Sequence, residues 1–211
     1  MNHLAPVQRL ANRYRVMRHG ESKANASGII VSRIETDRGG DYGLSERGRG
    51  QAEAAARDCG LPADTLICSS DFARAWQTAE IVRARLGAPP VLVAVALRER
   101  CFGDLEGTPT GNYARVWAAD EAGTGDADGG DAGGGVEPAA AVLDRATGLV
   151  ADLERRYAGR DILLVSHGDT LQILQAGFLR MDPAEHRRLP HLGIAEVRAL
   201  RLGEGPEAAG R

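Results

Sequence analysis

The clearest sign of the fold in this 211-residue chain is the stretch Arg15-Val16-Met17-Arg18-His19-Gly20-Glu21-Ser22. A short apolar run follows Tyr14 and ends abruptly at an Arg-His-Gly turn, which is typical of a strand that delivers a side chain into a loop. Proteins of the α/β class bind ligands at the carboxyl ends of such strands, and Gly20 lets the backbone turn sharply. For an isolated tripeptide, a strand-end histidine without a catalytic partner is the better interpretation, so a role for His19 requires support from the rest of the chain.

Later segments repeat this pattern of an apolar run that ends in polar residues. Residues 65–69 and 161–166 are short, apolar runs bounded by turn residues, and residues 91–97 run into a charged cluster at 98–100. A last, edge-like strand is expected within residues 194–202. Helices are predicted from caps and helical spacing at about residues 45–59, 71–86, 137–157 and 170–179, with Ser45 as the N-cap of the first and Gly87 as the end of the second. This alternation of strands and helices predicts an α/β domain.

Composition limits the classes of protein to which the chain can belong. It is 43% hydrophobic with a formal net charge of -3 and a pI near 6.0, so we expect a single domain over residues 1–211 and no nucleic-acid partner. No run approaches the length of a membrane span, and we expect no membrane association and a cytoplasmic location. Cys59, Cys68 and Cys101 lack the spacing of a zinc site or a redox pair, so reduced, mostly buried thiols are expected.

One segment departs from the composition of a packed domain. Residues 123–135 contain only Gly, Asp, Ala and Thr, and such a sequence cannot bury apolar surface. We therefore expect a flexible insertion at about residues 121–136, in a loop over the functional site. A disordered tail is expected from about residue 203.

Four strand-to-loop junctions carry charged or titratable side chains. Arg18 and His19 follow the first strand, Arg74 follows the second, Glu99 the third, and His167 the strand at 161–166. The carboxyl ends of parallel strands share one edge of the sheet, so these groups can converge although they are distant in sequence. Two arginines, two histidines and a carboxylate at one edge predict a site for a phosphoryl group.

Each residue type has a chemical role in such a site. Guanidinium groups supply forked donors for phosphate oxygens, and a neutral imidazole can attack phosphorus and form a phosphoenzyme. A nearby carboxylic acid can protonate the leaving oxygen and later deprotonate water. No metal or other cofactor is expected, because arginine and imidazolium charges can stabilise the transition state.

Four motifs together resemble those of the histidine phosphatase superfamily, the phosphoglycerate mutase-like proteins. They are Arg-His-Gly-Glu-Ser at 18–22, Ser-Ser-Asp-Phe-Ala-Arg-Ala-Trp-Gln-Thr-Ala at 69–79, Arg-Glu-Arg-Cys-Phe-Gly-Asp-Leu-Glu-Gly at 98–107 and Ser-His-Gly at 166–168. The resemblance covers about residues 15–179. It implies a three-layer α/β/α sandwich around a mostly parallel sheet, and a small phosphorylated substrate.

The resemblance also implies a role for each converging side chain. His19 corresponds to the nucleophile that becomes phosphorylated, and Glu99 corresponds to the proton donor. Arg18, Arg74 and His167 correspond to the clamp that holds the phosphate. The site would then work through a phosphohistidine intermediate.

Three further residues lie in or beside these motifs. By the resemblance, Ser22 matches a serine on the substrate side of the site, and Asn25 matches an asparagine that contacts phosphate in the mutase branch. In the acid phosphatase branch an aspartate follows the second histidine directly, whereas here Gly168 stands before Asp169. Glu99 is therefore the better candidate for the acid, and Asp169 is the runner-up.

The region after Glu99 favours a phosphatase over a mutase. Mutases of this superfamily carry a pair of arginines there, which holds the second phosphate of their substrates, whereas residues 108–138 contain only Arg115. The prediction is a metal-independent phosphomonoester hydrolase. Two alternatives stay open: phosphoryl transfer of the phosphoglycerate mutase type, and a catalytically silent protein that binds a phospholigand. The sequence leaves the physiological substrate and the oligomeric state open.

The histidines outside the motifs are expected to be solvated, namely His3, His186 and His191. His186 could join Arg187 and Arg188 in a small basic patch. Trp117 is assigned to packing or to a contact with a closing loop.

Overall fold

The computed structural model describes residues 1–37, 39–124 and 134–203. Its centre is a five-stranded sheet formed by β1 (Arg13–Arg18), β2 (Leu66–Ser69), β3 (Leu92–Val93), β4 (Asp161–Ser166) and β5 (Val197–Leu200). The strands lie in the order β3-β2-β4-β1-β5, with β1 to β4 parallel and β5 antiparallel to β1. Most of the predicted insertion, residues 125–133, and the predicted tail from residue 204 lie outside the described residues.

The register of the sheet brings the predicted motifs to one edge. Arg18 pairs with Ser166 at the ends of β1 and β4, and Ser69 pairs with Val165 at the end of β2. The residues that follow β1 and β4, which are His19 and His167, therefore leave the sheet side by side.

The described residues contain six α-helices: α1 (Lys23–Ser27), α2 (Glu46–Asp58), α3 (Ala73–Leu86), α4 (Tyr113–Glu121), α5 (Ala139–Arg156) and α6 (Gly168–Leu179). The predicted caps are confirmed at two ends. Ser45 accepts a hydrogen bond from the backbone of Gly48 at the start of α2, and Gly87 ends α3 in the left-handed conformation.

Alternate strand residues pack into two cores on opposite faces of the sheet. Val16 and Leu164 join a core that includes residues of α5 and α6, whereas Met17 and Val165 join a core with residues of α2 and α3. Strands buried on both faces are typical of a parallel sheet covered by helices. The predicted three-layer α/β/α arrangement around a mostly parallel sheet is confirmed.

Several segments differ from their predictions. Residues 91–97 do not form one strand, because the edge strand β3 ends after two residues and Val95–Leu97 form a 3-10 turn. The strand predicted within 194–202 is limited to Val197–Leu200. The helices α1 and α4 were not predicted, since both are short and follow turns.

Two further findings concern the character of the helices and the burial of the cysteine thiols. None of the described helices combines the length and the apolar character that a membrane crossing requires. All three cysteines are free, but Cys59 and Cys101 are only partly buried while Cys68 is buried. The expectation of mostly buried thiols therefore holds for one of the three.

Candidate active site

The predicted site residues meet around one cavity at the carboxyl ends of the parallel strands. The cavity has a volume of about 300 Å³. Its lining includes the predicted residues Arg18, His19, Ser22, Asn25, Arg74, Glu99 and Asp169, and also Tyr113, Trp117, Arg187 and His191. His167 is fully buried and reaches this group of residues through Arg74.

His19 is buried, and two neighbours fix the position of its proton. Its Nδ1 lies 2.7 Å from the carbonyl oxygen of Gly20; because a carbonyl can only accept, Nδ1 carries the proton. Its Nε2 accepts a 3.2 Å hydrogen bond from Nε of Arg74. Burial, followed by the charges of Arg74 and Arg18, holds the pKa of His19 well below its ordinary value. The imidazole is therefore neutral, and its unprotonated nitrogen is Nε2.

His167 is a second imidazole bonded to the same guanidinium group. Its Nδ1 accepts a 3.2 Å hydrogen bond from Nε of Arg74, and its Nε2 lies 2.9 Å from Oγ of Ser70. The rings of His19 and His167 meet edge to face with their centroids 5.2 Å apart. Burial and the charge of Arg74 hold the pKa of His167 well below its ordinary value. Two neutral histidines thus face one arginine.

Arg74 and Arg18 carry donors that the described residues leave unsatisfied. Arg74 is buried over the ring of Phe72, at 4.6 Å from its centroid, and donates from Nη2 to the carbonyl oxygen of Val31 at 2.9 Å. Its Nη1, and Nε of Arg18, find no acceptor in the described part of the chain. Unsatisfied buried donors are costly. Two of them from arginines in contact with one cavity make it suited to the oxygens of an anion.

Glu99 brings a protonatable carboxyl group to the same cavity. Its Oε1 accepts hydrogen bonds from the backbone of Arg100 at 3.0 Å and from Oγ1 of Thr170 at 3.3 Å. Burial raises the pKa of Glu99, and the carboxylate of Asp169 raises it further, against the opposing charge of Arg74. A raised pKa keeps a proton available at higher pH, as a general acid requires.

Asp169, the runner-up for the acid, is surrounded by donors. Its Oδ1 accepts a 2.9 Å hydrogen bond from the indole of Trp117 and lies 3.0 Å from Nε2 of His186, and its Oδ2 lies 3.3 Å from Nη1 of Arg100. Burial alone would raise the pKa of Asp169, but His186 and Arg100 outweigh it and lower this pKa to about 2. A carboxyl group with that pKa carries no proton near neutral pH. The contacts of Asp169 therefore favour Glu99 as the proton donor.

Ser22 and Asn25 line the cavity, but their observed bonds are to each other. Oγ of Ser22 accepts from the backbone of Asn25 at 3.1 Å, and Oδ1 of Asn25 accepts from the backbone of Ser22 at 3.0 Å. This reciprocal capping box starts α1. The predicted contacts of both residues with substrate stay predictions.

A buried ion-pair network behind the cavity was not predicted. Arg100 is buried and donates to both carboxylate oxygens of Asp120 in α4, at 2.6 and 2.8 Å, in addition to its contact with Asp169. This network joins α4 to α6 through Arg100, the residue that follows Glu99 in sequence. The charged cluster at 98–100 was the one available signal, and it does not show that Arg100 is buried.

The expectation that His186 is solvated is wrong. Its side chain is fully buried, because the 3-10 segment Pro183–Arg188 turns it toward Asp169. Its Nδ1 lies 2.7 Å from the carbonyl oxygen of Pro183. His191 is exposed as expected, yet its Nε2 lies 2.7 Å from Nη1 of Arg18. Within the described residues, no group of three or more His, Cys, Asp or Glu side chains could hold a metal ion.

Known proteins are similar to this chain in sequence and in fold. The protein-family model for the histidine phosphatase superfamily (branch 1) matches residues 15–209 of the sequence. Glucosyl-3-phosphoglycerate phosphatase of Mycobacterium tuberculosis is 34% identical over 197 residues, covering 88% of this chain and 83% of the relative. The metal-independent phosphoserine phosphatase of Arabidopsis thaliana is 30% identical over 174 residues, covering 80% of this chain and 68% of the relative.

A solved structure of a similar protein shares the fold of this chain. It is that of a mycobacterial glucosyl-3-phosphoglycerate phosphatase in complex with VO3, and it matches with a TM-score of 0.73 and 30% identity over 90% of this chain and 94% of that chain. With a family model that spans nearly the whole sequence, the chain belongs to the histidine phosphatase superfamily.

Proposed function

We propose that this chain hydrolyses phosphomonoesters through a phosphohistidine formed on Nε2 of His19. One observation carries the proposal: the unprotonated Nε2 lies 3.2 Å from Nε of Arg74, whose buried Nη1 has no acceptor within the described residues. A phosphoryl group placed there would meet a nucleophile and donors for its oxygens at the same time. The similar proteins that are named as phosphatases support this class of reaction.

The first step transfers the phosphoryl group to the enzyme. The electron pair on Nε2 of His19 attacks phosphorus as the bond to the ester oxygen breaks, and the proton of Glu99 passes to that oxygen, which leaves as an alcohol. The hydrogen bond from Nδ1 to the carbonyl of Gly20 holds the ring and stabilises the positive charge that it gains. Arg74 and Arg18 stabilise the charge on the phosphoryl oxygens.

The second step returns the enzyme to its starting state. Glu99, now a carboxylate, removes a proton from water, and the resulting hydroxide attacks phosphorus. The bond between phosphorus and Nε2 breaks, inorganic phosphate leaves, and both His19 and Glu99 regain their initial protonation. The raised pKa of Glu99 suits this alternation between acid and base.

The substrate is a small phosphorylated molecule. The two relatives carry the names of glucosyl-3-phosphoglycerate and phosphoserine as their substrates, and a cavity of about 300 Å³ fits a ligand of modest size. Mutase chemistry is the second candidate. It is disfavoured because residues 108–138 contain only Arg115 and no arginine pair.

The test is hydrolysis of an aryl phosphate in the presence of a metal chelator. Wild-type protein should turn over, and His19→Ala should lower kcat/KM by about 10³-fold or more, because removal of a nucleophile typically costs that much. A radiolabelled phosphoryl group should remain on the wild-type chain after an alkaline quench, since phosphohistidine is stable to alkali. The matched control is His3→Ala, which removes a histidine that pairs with Asp144 at the surface.

Three results would contradict the proposal. Unchanged turnover by His19→Ala would show that His19 is not the nucleophile. Absence of hydrolysis by wild-type protein, with tight binding of phosphate, would favour the silent binder. Conversion of 3-phosphoglycerate to 2-phosphoglycerate faster than its hydrolysis would favour the mutase.

A further inference from the structure

Two basic side chains in the cavity have no part in the reaction proposed above. Arg187 and His191 lie on the segment after α6, and both line the cavity together with Arg18. The guanidinium of Arg187 stacks on Trp117, with Cζ 3.7 Å from the ring centroid. One of its nitrogens also donates to Oε1 of Gln172. These two contacts fix the plane of the guanidinium at the cavity wall.

His191 lies between two guanidinium groups and can accept from only one of them. Its Nε2 is 2.7 Å from Nη1 of Arg18, and its Nδ1 is 3.5 Å from Nη1 of Arg187. Desolvation of the ring by its neighbours, followed by the charges of Arg18 and Arg187, lowers the pKa of His191 although the residue is exposed, so the ring is neutral and has one acceptor nitrogen. The shorter distance identifies this acceptor as Nε2. Nδ1 then carries the proton and points its N–H toward another donor.

Arg18, Arg187 and Nδ1–H of His191 leave an excess of positive charge and of hydrogen-bond donors at the cavity. In the part of the chain that the structure describes, neither Arg18 nor Arg187 has a carboxylate within 4.0 Å. The adjacent Arg188 is different, because it pairs with Glu185 at 2.7 Å. The charge of Asp169 acts on Arg187 and raises its pKa against the effect of burial, but the oxygens of Asp169 already bind other donors.

We propose that Arg187 and Nδ1–H of His191 form a subsite for a carboxylate of the substrate, beside the phosphoryl site at Arg18. The proposal rests on the proposed function and deepens it: the substrate is a phosphomonoester with a carboxylate close to the phosphate. A carboxylate fits because it is planar and its two oxygens match the fork of a guanidinium group and one further N–H. A second phosphate would bring more oxygens and more charge than this pair can satisfy.

The surrounding structure holds the subsite in place. The buried His186, one residue before Arg187, is anchored to Asp169 and to the carbonyl of Pro183. Gly168 leaves room for the contact between Arg18 and His191, since a Cβ there would lie 3.3 Å from Cε1 of His191 and 3.4 Å from Cζ of Arg18. The subsite therefore depends on the same turn that follows β4.

The kinetic test compares two substrates that differ in the carboxylate. These are 3-phosphoglycerate and glycerol 1-phosphate, in which a hydroxymethyl group replaces the carboxylate. Wild-type protein should prefer 3-phosphoglycerate in kcat/KM, and Arg187→Met should lower that preference by about 10- to 100-fold, mainly through KM. Arg187→Lys should retain part of it, because it keeps the charge but loses the fork. Arg188→Met is the matched control and should leave the preference unchanged.

A binding test separates this proposal from the mechanism. On a His19→Ala background, 3-phosphoglycerate should bind at least tenfold more weakly when Arg187→Met is added, by calorimetry, and no more weakly when Arg188→Met is added. This result does not depend on turnover, so a protein that binds in this way but shows no hydrolysis would contradict the proposed function alone. Equal kinetic losses for both substrates, or unchanged binding, would overturn the subsite. Glycerol 1,3-bisphosphate serves as a further ligand. If Arg187→Met weakens only the binding of this ligand, the subsite holds a second phosphate, and the carboxylate proposal is also overturned.

Discussion

Gly48 in α2 lies against the backbone of Glu21, so closely that a Cβ on Gly48 would be 2.0 Å from the carbonyl oxygen of Glu21. The contact is reciprocal, because a Cβ on Gly20 would be 2.3 Å from the carbonyl oxygen of Gly48. Both are contacts between backbones, so no side chain can rotate to relieve them. The loop that carries His19 is therefore packed directly on the first turns of α2.

This contact predicts opposite effects for two glycines of the same helix. Gly48→Ala should destabilise the protein by about 1–3 kcal/mol, as overpacking does, and should lower activity because it displaces the loop of His19. Gly50→Ala should stabilise it by about 0.5–1 kcal/mol, since alanine favours a helix and an added Cβ would meet no described atom within 4 Å apart from its chain neighbours and the nearby backbone of its own helix. Denaturant unfolding of both variants tests this. Equal effects of the two substitutions would contradict the packing argument.

A second prediction concerns the leaving group. Glu99→Gln should lower kcat/KM for an alkyl phosphate by about 10²- to 10⁴-fold, and for a nitrophenyl phosphate far less, because that leaving oxygen needs no proton. Asp169→Asn serves as the comparison. It removes an ionised acceptor and should affect both substrates alike. If Asp169→Asn shows the larger dependence on the leaving group, the proton donor is Asp169 and not Glu99.

The pKa shifts predict the direction of the pH dependence. Glu99 has a raised pKa, so its acid form persists above the usual range and is lost as pH rises through that pKa. The pKa of His19 is lowered, so the nucleophile is already neutral below pH 6.5. For an alkyl phosphate, kcat/KM should therefore fall with rising pH, and Glu99→Gln should remove this fall. A rise that follows the titration of an ordinary histidine in the wild-type protein would contradict the lowered pKa of His19.

The buried network predicts a large effect on stability. Arg100→Met leaves the carboxylates of Asp120 and Asp169 buried without their shared partner, which should cost about 3–5 kcal/mol of the free energy of unfolding. Arg155→Met is the matched control. The side chain of Arg155, which pairs with Asp152, is 70% exposed. Loss of this pair should lower the free energy of unfolding by less than about 1 kcal/mol. Similar losses in both variants would argue against a role for burial.

The positions of most strands along the chain, and the loops that bear the site, could be predicted from local sequence. Apolar runs such as residues 161–166 and caps such as Ser45 depend on neighbouring residues, and the structure confirms them. The motifs also placed His19, Arg74 and Glu99 at one edge, since parallel strands present their carboxyl ends together. The weak edge strand β3 could not be separated from the turn after it, because edge position is a property of the sheet and not of the segment.

The sequence by itself determined the family, the sheet edge and the residue types available for phosphoryl chemistry. The tertiary structure decided which of these groups hold protons and which hold charge. Glu99 is partly buried and Asp169 is buried, yet their pKa values shift in opposite directions because His186 and Arg100 reach Asp169 from other parts of the chain. Burial and long-range partners set these shifts. Neither is visible in the local pattern of residues.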